Sequence, residues 1–208
     1  MFKRYFTPLR LRLLLVVFIA VLPALGLILY EAATDRASAA RDAQAQALRA
    51  ARVAAQDYAR VVSDAERLLM VLARVPDIRA GDNASCSVLL AGMLHQDTRY
   101  LNFGVVDKQG QLLCSAIPMA AGLNLADRAY FQRAVQTRRF SVGDFQIGRI
   151  TRRASINLAF PVLDMAGKLE AVLFSALDIG KLHATVAGAT LPEHATITVV
   201  DARGTILA

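Results

Sequence analysis

The residues best suited to chemistry lie in the segment 127–133, where a cation and two aromatic rings are close together in the sequence. This segment contains Arg128, Tyr130 and Phe131. If the segment is a helix, Arg128, Phe131 and Gln132 share one face, because residues three and four apart are neighbours on a helix surface. The planar guanidinium offers paired donors to a carboxylate, and aromatic neighbours strengthen those bonds by excluding water. The pattern therefore predicts a clamp for a small carboxylate.

The same residues allow a second interpretation. Arg128 could form a structural ion pair with Asp127 or Asp178, and Tyr130 and Phe131 would then belong to the core. Further arginines could add contacts to an anion or could lie on an exposed hairpin rim, which we favour: Arg149, Arg152 and Arg153.

Composition and motifs argue against several classes of function. The net charge is +7, but the basic residues are scattered among acidic ones and form no stripe interleaved with aromatics, so we expect no nucleic-acid partner. There is no G-x-S-x-G, H-E-x-x-H or Walker A motif, so we expect no catalytic site in these residues and no cofactor. The histidines are isolated, which argues against a metal site: His95, His183 and His194.

An uncharged apolar run, residues 13–30, precedes the rest of the chain. As a helix it would rise roughly 27 Å, close to the hydrocarbon thickness of a bilayer. Four basic residues lie before it and acidic residues follow it, so the positive-inside rule predicts a cytoplasmic basic tail, 1–12, and an extracytoplasmic remainder. A cleaved signal peptide is the alternative, but the run is longer than the usual apolar core of such a peptide.

The chain has two cysteines, Cys86 and Cys114, and both lie beyond the apolar run. An oxidising compartment favours their pairing, so we expect a disulfide. Two separate buried thiols are the alternative.

Residues 31–76 favour one long helix, since they are rich in Ala, Arg, Gln and Leu and contain no glycine and no proline before Pro76. Proline should end the helix because it disfavours helical backbone in the preceding residue. The apolar positions form a heptad seam: Leu48, Ala51, Ala55, Tyr58, Val62, Ala65, Leu69 and Leu72. The seam could pack on the chain's own domain, on a second subunit, or on both in turn, and we favour a homodimer.

The remaining chain, 77–185, reads as an α+β domain with an antiparallel sheet. The expected order is a helix, two strands, a helix and three strands: 85–96, 102–106, 111–115, 127–137, 140–144, 154–163 and 169–177. A short repeat follows, because Val105-Val106-Asp107 with Gly110 recurs as Val199-Val200-Asp201 with Gly204. We therefore expect residues 190–208 to be the first strands of a second, truncated module, with a second span and a cytoplasmic output missing.

Three stretches, in this order behind an apolar anchor, resemble the double Cache family of PAS-like extracytoplasmic sensors: 103–110, 125–131 and 160–168. The resemblance implies a small-molecule pocket in the membrane-distal module, 77–185. It also implies relay to a histidine kinase or a diguanylate cyclase, with a chemotaxis output as the less favoured choice.

The resemblance assigns roles to particular residues. Arg128, Tyr130 and Phe131 match the arginine and aromatics that family members place against a carboxylate, and Asp178 matches an acidic residue that holds an ammonium group. Phe145 and Gln146 stand where the family often has a tyrosine. Tyr130 replaces a common tryptophan, and Ala129 replaces the proline of dicarboxylate sensors, so these departures favour a carboxylate over an α-amino acid.

The sequence as a whole predicts a sensor in the inner membrane, with a periplasmic domain that binds a small carboxylate or amino-acid-like ligand. A ligand can change such a receptor only by binding one of its states better. The alternative is a dimerisation or protein-interaction module without a ligand. A full-length protein could still carry an enzymatic kinase or cyclase domain.

Overall fold

The structure is a computed structural model, and it describes residues 8–118 and 122–182 together with positions 198, 200 and 204. The proposed start of a second module, 190–208, lies outside the described residues apart from those isolated positions. The chain divides into two units, Met1–Ala51 and Arg52–Ala208. The helices and strands are α1 Pro8–Leu72, α2 Pro76–Ala80, α3 Asn83–Gln96, β1 Tyr100–Asp107, β2 Leu112–Ser115, α4 Ala129–Thr137, β3 Ser141–Ile147, β4 Ala154–Leu163 and β5 Leu169–Asp178.

The first unit contains the apolar run expected from the sequence. Its segment Leu13–Glu31 is helical, has a mean hydropathy of 2.8 and is wholly exposed to its surroundings. By length and composition this helix could cross a membrane, although a signal sequence near an N-terminus has the same properties.

Helix α1 ends at Leu72, four residues before the end of the predicted segment 31–76. Its last turn tightens, because the amide of Val75 donates to the carbonyl of Leu72. Val75 itself is extended, at φ −72° and ψ 131°, as expected for a residue before proline. Pro76 therefore interrupts the helix as predicted, and it also begins α2, where its missing N–H leaves no bond unmade.

The five strands form one antiparallel sheet in the order β2-β1-β5-β4-β3. The two predicted hairpins are confirmed and share one turn chemistry. In each, an aspartate side chain accepts hydrogen bonds of 2.8–2.9 Å from two backbone amides. This aspartate is Asp107 in the first hairpin and Asp164 in the second. Gly110 and Gly167 close these turns at φ +83° and +76°, which a residue with a Cβ rarely adopts.

Helix α4 begins two residues later than predicted, and this moves Arg128 out of the helix. Its backbone is extended, at φ −78° and ψ 132°, and it is the N-cap residue. A turn closed by the amide of Arg128 and the carbonyl of Leu125 precedes it. The prediction that Arg128, Phe131 and Gln132 share a helix face was therefore wrong, because the turn sets the helix start at Ala129.

Helices cover both faces of the sheet. The C-terminal part of α1, together with α2 and α3, packs on what we call the apolar face, where the larger core contains Leu69, Leu90, Phe103 and Leu173. Helix α4 packs on the opposite face, which we call the cavity face, over a smaller core. The α+β class and the order of elements are confirmed.

The seam of α1 is used partly by the chain's own core. Ala65, Leu69 and Leu72 are buried as predicted, and they pack in the larger core. Further towards the N-terminus the buried positions are Ala54 and Val61 rather than the predicted Ala55 and Val62. The buried stripe follows the helical period of 3.6 residues rather than a strict heptad.

The expected disulfide is confirmed. Cys86 on α3 is bonded to Cys114 on β2, with Cα atoms 6.0 Å apart and a sequence separation of 28. Both residues are buried in the larger core. The bond fixes α3 against the edge of the sheet.

Candidate ligand-binding site

A small cavity lies on the cavity face, beyond the N-terminal end of α4. The sheet, the turn before α4 and the connection between β3 and β4 enclose it. Its volume is about 20 Å³, enough for roughly one water molecule. The lining residues are Asn102, Leu125, Arg128, Tyr130, Gln146, Gly148, Arg149, Ile150, Thr151, Asn157, Phe174 and Ala176.

The floor of the cavity is polar although the strands that form it are apolar: Asn102 and Asn157 line the cavity, and Ser155 and Asp178 lie beside them on the same face of the sheet. Asn102, Ser155, Asn157 and Asp178 are all buried. They lie on one face, because Ser155 pairs with Asp178 and Asn157 and Asn102 both pair with Ala176. The Ser155 hydroxyl donates to Asn157 Oδ1 at 2.9 Å, and Asn102 Nδ2 donates to the hydroxyl of Ser115 at 2.9 Å. Buried amides with bonds of this kind hold fixed orientations.

Sequence reasoning missed this row of polar side chains. The signal was available, because Asn102 lies between Leu101 and Phe103 and Asn157 lies between Ile156 and Leu158. A polar residue inside an apolar strand must find hydrogen bonds when it is buried, and it is retained at a cost in stability. Such positions are candidates for function.

Two aromatic rings form the apolar side of the cavity. The rings of Tyr130 and Phe174 lie with centroids 5.7 Å apart. Phe174 fits only because Gly104 has no side chain, since a Cβ there would lie 2.6 Å from the edge of the ring. Burial raises the pKa of the Tyr130 hydroxyl above its ordinary value, so this group is a neutral hydrogen-bonding phenol at neutral pH.

Arg128 faces this cavity with an uncharged partner. Its Nη1 donates to Oε1 of Gln146 at 3.1 Å. Among the residues that the structure describes, no carboxylate lies within 4.0 Å of its guanidinium. A half-buried cation whose nearest acceptor is an amide retains donors for an anion.

The connection between β3 and β4, residues 148–153, closes the cavity through an ion pair. Arg149 donates through both terminal nitrogens to the carboxylate of Asp127, at 2.8 and 2.7 Å, and also donates to the carbonyl of Asn124 at 2.9 Å. These hydrogen bonds hold the pKa of Asp127 below its usual range. We call this bidentate pair the latch.

A second ion pair lies beside the cavity, on the same face of the sheet. Arg153 Nη2 donates to Oδ2 of Asp178 at 2.6 Å, while Asp178 Oδ1 accepts the amide of Gly180 at 3.0 Å. The side chain of Asp178 is 5% exposed and that of Arg153 is 59% exposed. A buried carboxylate is therefore neutralised by a cation that reaches in from solvent.

The structure brings together some of the six predicted ligand residues and separates others. Arg128, Tyr130 and Gln146 line the cavity. Phe131 packs in the smaller core under α4. Phe145 is directed to the apolar face, because it precedes Gln146 in the strand and pairs with Ile156 of the larger core.

Asp178, the sixth of these residues, is on the cavity face one alternation beyond Ala176, and it is bonded to Arg153. The structural pairing of Arg128 with Asp127 or Asp178 does not occur, because Arg149 and Arg153 take those carboxylates.

A larger groove, of about 480 Å³, lies between α3 and β2, and its described lining includes Ser87, Val88, Leu113 and Ser115. No charged side chain is among the described residues that line it. An anion would find no counter-ion there, so the smaller cavity is the better candidate for a carboxylate. Over residues 8–118 and 122–182, no group of three His, Cys, Asp or Glu side chains is arranged to hold a metal ion.

Solved structures share this fold. The sensor domain of E. coli DcuS matches with a TM-score of 0.55 and 15% identity, covering 64% of this chain and 98% of that one. The ligand-binding domain of the Campylobacter jejuni chemoreceptor Tlp3, in complex with L-valine, matches with a TM-score of 0.61 and 16% identity, covering 76% of this chain and 66% of that one. The sensor domain of the V. cholerae histidine kinase DctB matches with a TM-score of 0.55 and 13% identity, covering 67% of this chain and 57% of that one.

These matches confirm the predicted resemblance at the level of the fold: the chain has the fold of Cache-like sensor domains. The chain spans about two thirds of the Tlp3 domain and 57% of the DctB domain. It spans nearly all of the DcuS domain. No family model matches the sequence, and no curated protein matches it.

Proposed function

We propose that this chain is the extracytoplasmic sensing part of a transmembrane receptor and that it binds a small carboxylate in the cavity beside α4. The observation that carries the proposal is Arg128, a half-buried cation directed at a cavity with an amide, not a carboxylate, as its acceptor. A carboxylate would supply the missing charge and accept paired hydrogen bonds from the guanidinium.

The walls of the cavity suit such a ligand. Asn102 and Asn157 provide amide groups on the floor, and Tyr130 and Phe174 provide an apolar wall. A mostly apolar site with a few oriented polar groups is the usual design for small-molecule recognition. The fold neighbours support this proposal, since Tlp3 is described in complex with L-valine and the P. fluorescens chemoreceptor CtaA in complex with L-serine.

The cavity must enlarge to admit a ligand, because about 20 Å³ holds no organic acid. The latch is the element that would open, since Arg149 and Asp127 are both substantially exposed. Binding would then stabilise one arrangement of the 148–153 connection over another, as a signal requires. Asp178 accepts the amide of Gly180, so the end of β5 and the residues that follow it would respond.

The apolar helix Leu13–Glu31 supports membrane anchoring, with the second unit outside the cytoplasm. We propose that the bilayer is the inner membrane and that the receptor is a homodimer relaying to a histidine kinase or a diguanylate cyclase. Leu48 and Val53 are large apolar side chains of α1 that stay exposed in the single chain, and a second copy would cover them.

A ligand-free interaction module is the second candidate. The observation in its favour is the size of the cavity, which as it stands holds one water molecule. In that case Arg128 and Gln146 would be a structural pair that closes the sheet against α4.

A thermal-shift and calorimetry screen of the full chain in detergent or nanodiscs separates the two candidates. We expect small carboxylates to raise the melting temperature, and we expect Arg128→Gln to weaken their binding by about 10- to 100-fold through loss of a charge-assisted pair. Arg139→Gln is the matched control, because that arginine is exposed on the loop after α4 and away from the cavity. If no carboxylate binds, or if Arg128→Gln leaves the affinity intact, the interaction module becomes the better proposal.

A further inference from the structure

The charges around the cavity are unequal. Arg128 and Arg149 line it, and the residues next to the lining add a third guanidinium, that of Arg153, and two carboxylates, those of Asp127 and Asp178. Arg149 is paired with Asp127 and Arg153 is paired with Asp178. One positive charge, on Arg128, is left over, and a ligand with one negative charge balances it.

An ammonium group would find both nearby carboxylates already neutralised by arginines. Asp178 is the buried carboxylate on the cavity face, and each of its oxygens already accepts a hydrogen bond, Oδ2 from Arg153 and Oδ1 from the amide of Gly180. The remaining acceptors on the floor are the amide oxygens of Asn102 and Asn157, which already accept hydrogen bonds from the hydroxyls of Ser115 and Ser155. A buried ammonium without a carboxylate partner is strongly unfavourable.

Arg153 pairs with Asp178 from the solvent side, in the place beside that carboxylate that a ligand's ammonium group would otherwise take. We call this place the cation position. The side chain of Arg153 is 59% exposed, and it comes from the same 148–153 connection that carries Arg149. The amide of Gly148 donates to the carbonyl of Arg153 at 2.9 Å, so the connection is closed across its base and presents both arginines together. The guanidinium of Arg153 is therefore held in place by the closed form of this connection.

We infer that the site selects a small monocarboxylate that has no α-ammonium group, and that Arg153 determines this selectivity by filling the cation position at Asp178. The inference rests on the proposed function, since it specifies the ligand of the same cavity. It sets this chain apart from the neighbours described in complex with L-valine and L-serine. Arg153 acts by pairing with Asp178, and Arg128 is the group that contacts the ligand.

Propanoate and L-alanine form the test pair, because they differ by the ammonium group alone. Calorimetry on the full chain in nanodiscs should show propanoate binding at least about tenfold more tightly than L-alanine. Succinate tests the single-charge argument and should bind more weakly than propanoate, since no cation is left for its second carboxylate.

The variant Arg153→Gln should shift the ratio of the two affinities towards L-alanine by about tenfold or more, because Asp178 is then free to accept the ammonium. Arg152→Gln is the matched control at the neighbouring position, whose side chain is exposed, and it should keep the wild-type ratio. Circular dichroism checks that both variants fold.

The wild-type comparison is decisive even if Arg153→Gln fails to fold. Equal or tighter binding of L-alanine to the wild-type chain overturns the inference and leaves the carboxylate-sensor proposal standing. A folded Arg153→Gln chain with an unchanged ratio overturns the role of Arg153. If propanoate, succinate and L-alanine all fail to bind the wild-type chain, the inference and the proposed carboxylate site are both overturned.

Discussion

The two faces of the sheet are made by the same strands but bury different chemistry. On the apolar face, Phe103, Leu158 and Leu173 pack against helices α1 and α3, and the disulfide joins α3 to the edge strand β2. On the cavity face, beyond a smaller core under α4, the same strands bury the polar residues Asn102, Asn157 and Asp178. Because successive side chains of a strand point to opposite faces, each strand contributes apolar residues to one face and polar residues to the other.

This difference implies a division of labour. The apolar face gains stability from burial and has no need of precise polar geometry, because burial is non-directional. The cavity face lowers the total stability, because its amides and charges are held out of water. Substitutions on the first face should therefore change stability with little effect on affinity, and substitutions on the second should change both or affinity alone.

The largest expected effect is that of Phe103→Ala on the apolar face. Phe103 is fully buried and packs on the ring of Tyr100, with centroids 4.7 Å apart. Losing its packing should lower the free energy of unfolding by about 3 to 5 kcal/mol. Denaturant unfolding measures this, and Val71→Ala, at a position 64% exposed, should change it by less than about 0.5 kcal/mol.

Ligand affinity of the Phe103→Ala chain, measured at a temperature where it is still folded, should match the wild type. A large loss of affinity in the folded variant would contradict the division between the faces.

Removal of the disulfide should have the next largest effect. The pair Cys86→Ser and Cys114→Ser opens a loop with a sequence separation of 28, and the chain-entropy account gives a loss of about 3 to 4 kcal/mol. The expected result is a lower melting temperature in non-reducing buffer, with ligand affinity retained. The matched control is the wild-type chain under reducing conditions, which should melt like the double variant.

A smaller effect on stability, with a direct effect on binding, is expected for Gly104→Ala. Gly104 follows Phe103 in β1 and faces the cavity side, where a Cβ would lie 2.6 Å from the ring of Phe174. The ring must move, at a cost of about 1 to 3 kcal/mol, and it lines the cavity. We expect a clear loss of ligand affinity in calorimetry. Unchanged affinity in a destabilised Gly104→Ala chain would show that the ring has no part in binding.

The sequence predicted what depends on local patterns. The hairpins at Asp107 and Asp164 were predictable because an aspartate followed three residues later by glycine specifies a turn. The disulfide and the apolar helix likewise follow from residue types and spacing. The fold class then follows from the order of the elements.

The candidate site was less predictable, because its contacts join residues far apart in the chain. Arg149 reaches Asp127, and Arg153 reaches Asp178, across separations of 22 and 25 residues. The propensity of 127–137 for a helix also hid the turn that makes Arg128 a cap rather than a helix-face residue. Pairing of charges across a sheet is set by strand register, which single-sequence patterns constrain weakly.

The latch between Arg149 and Asp127 gives the smallest predicted effect, and it tests whether the cavity face opens. Bonds to Arg149 lower the pKa of Asp127 in the folded chain, so their contribution to closure is complete above the ordinary aspartate pKa of 3.8 and is lost as the pH falls through the lower folded value. Between pH 7 and 5 closure should be constant, and near pH 3 the 148–153 connection should lose protection against amide hydrogen exchange, after correction for the intrinsic rate. The Asp127 side chain is 57% exposed, so the change should be small and should shrink at high salt. Asp127→Asn should show the reduced protection at every pH, and wild-type protection that does not depend on pH would mean that this pair does not hold the cavity closed.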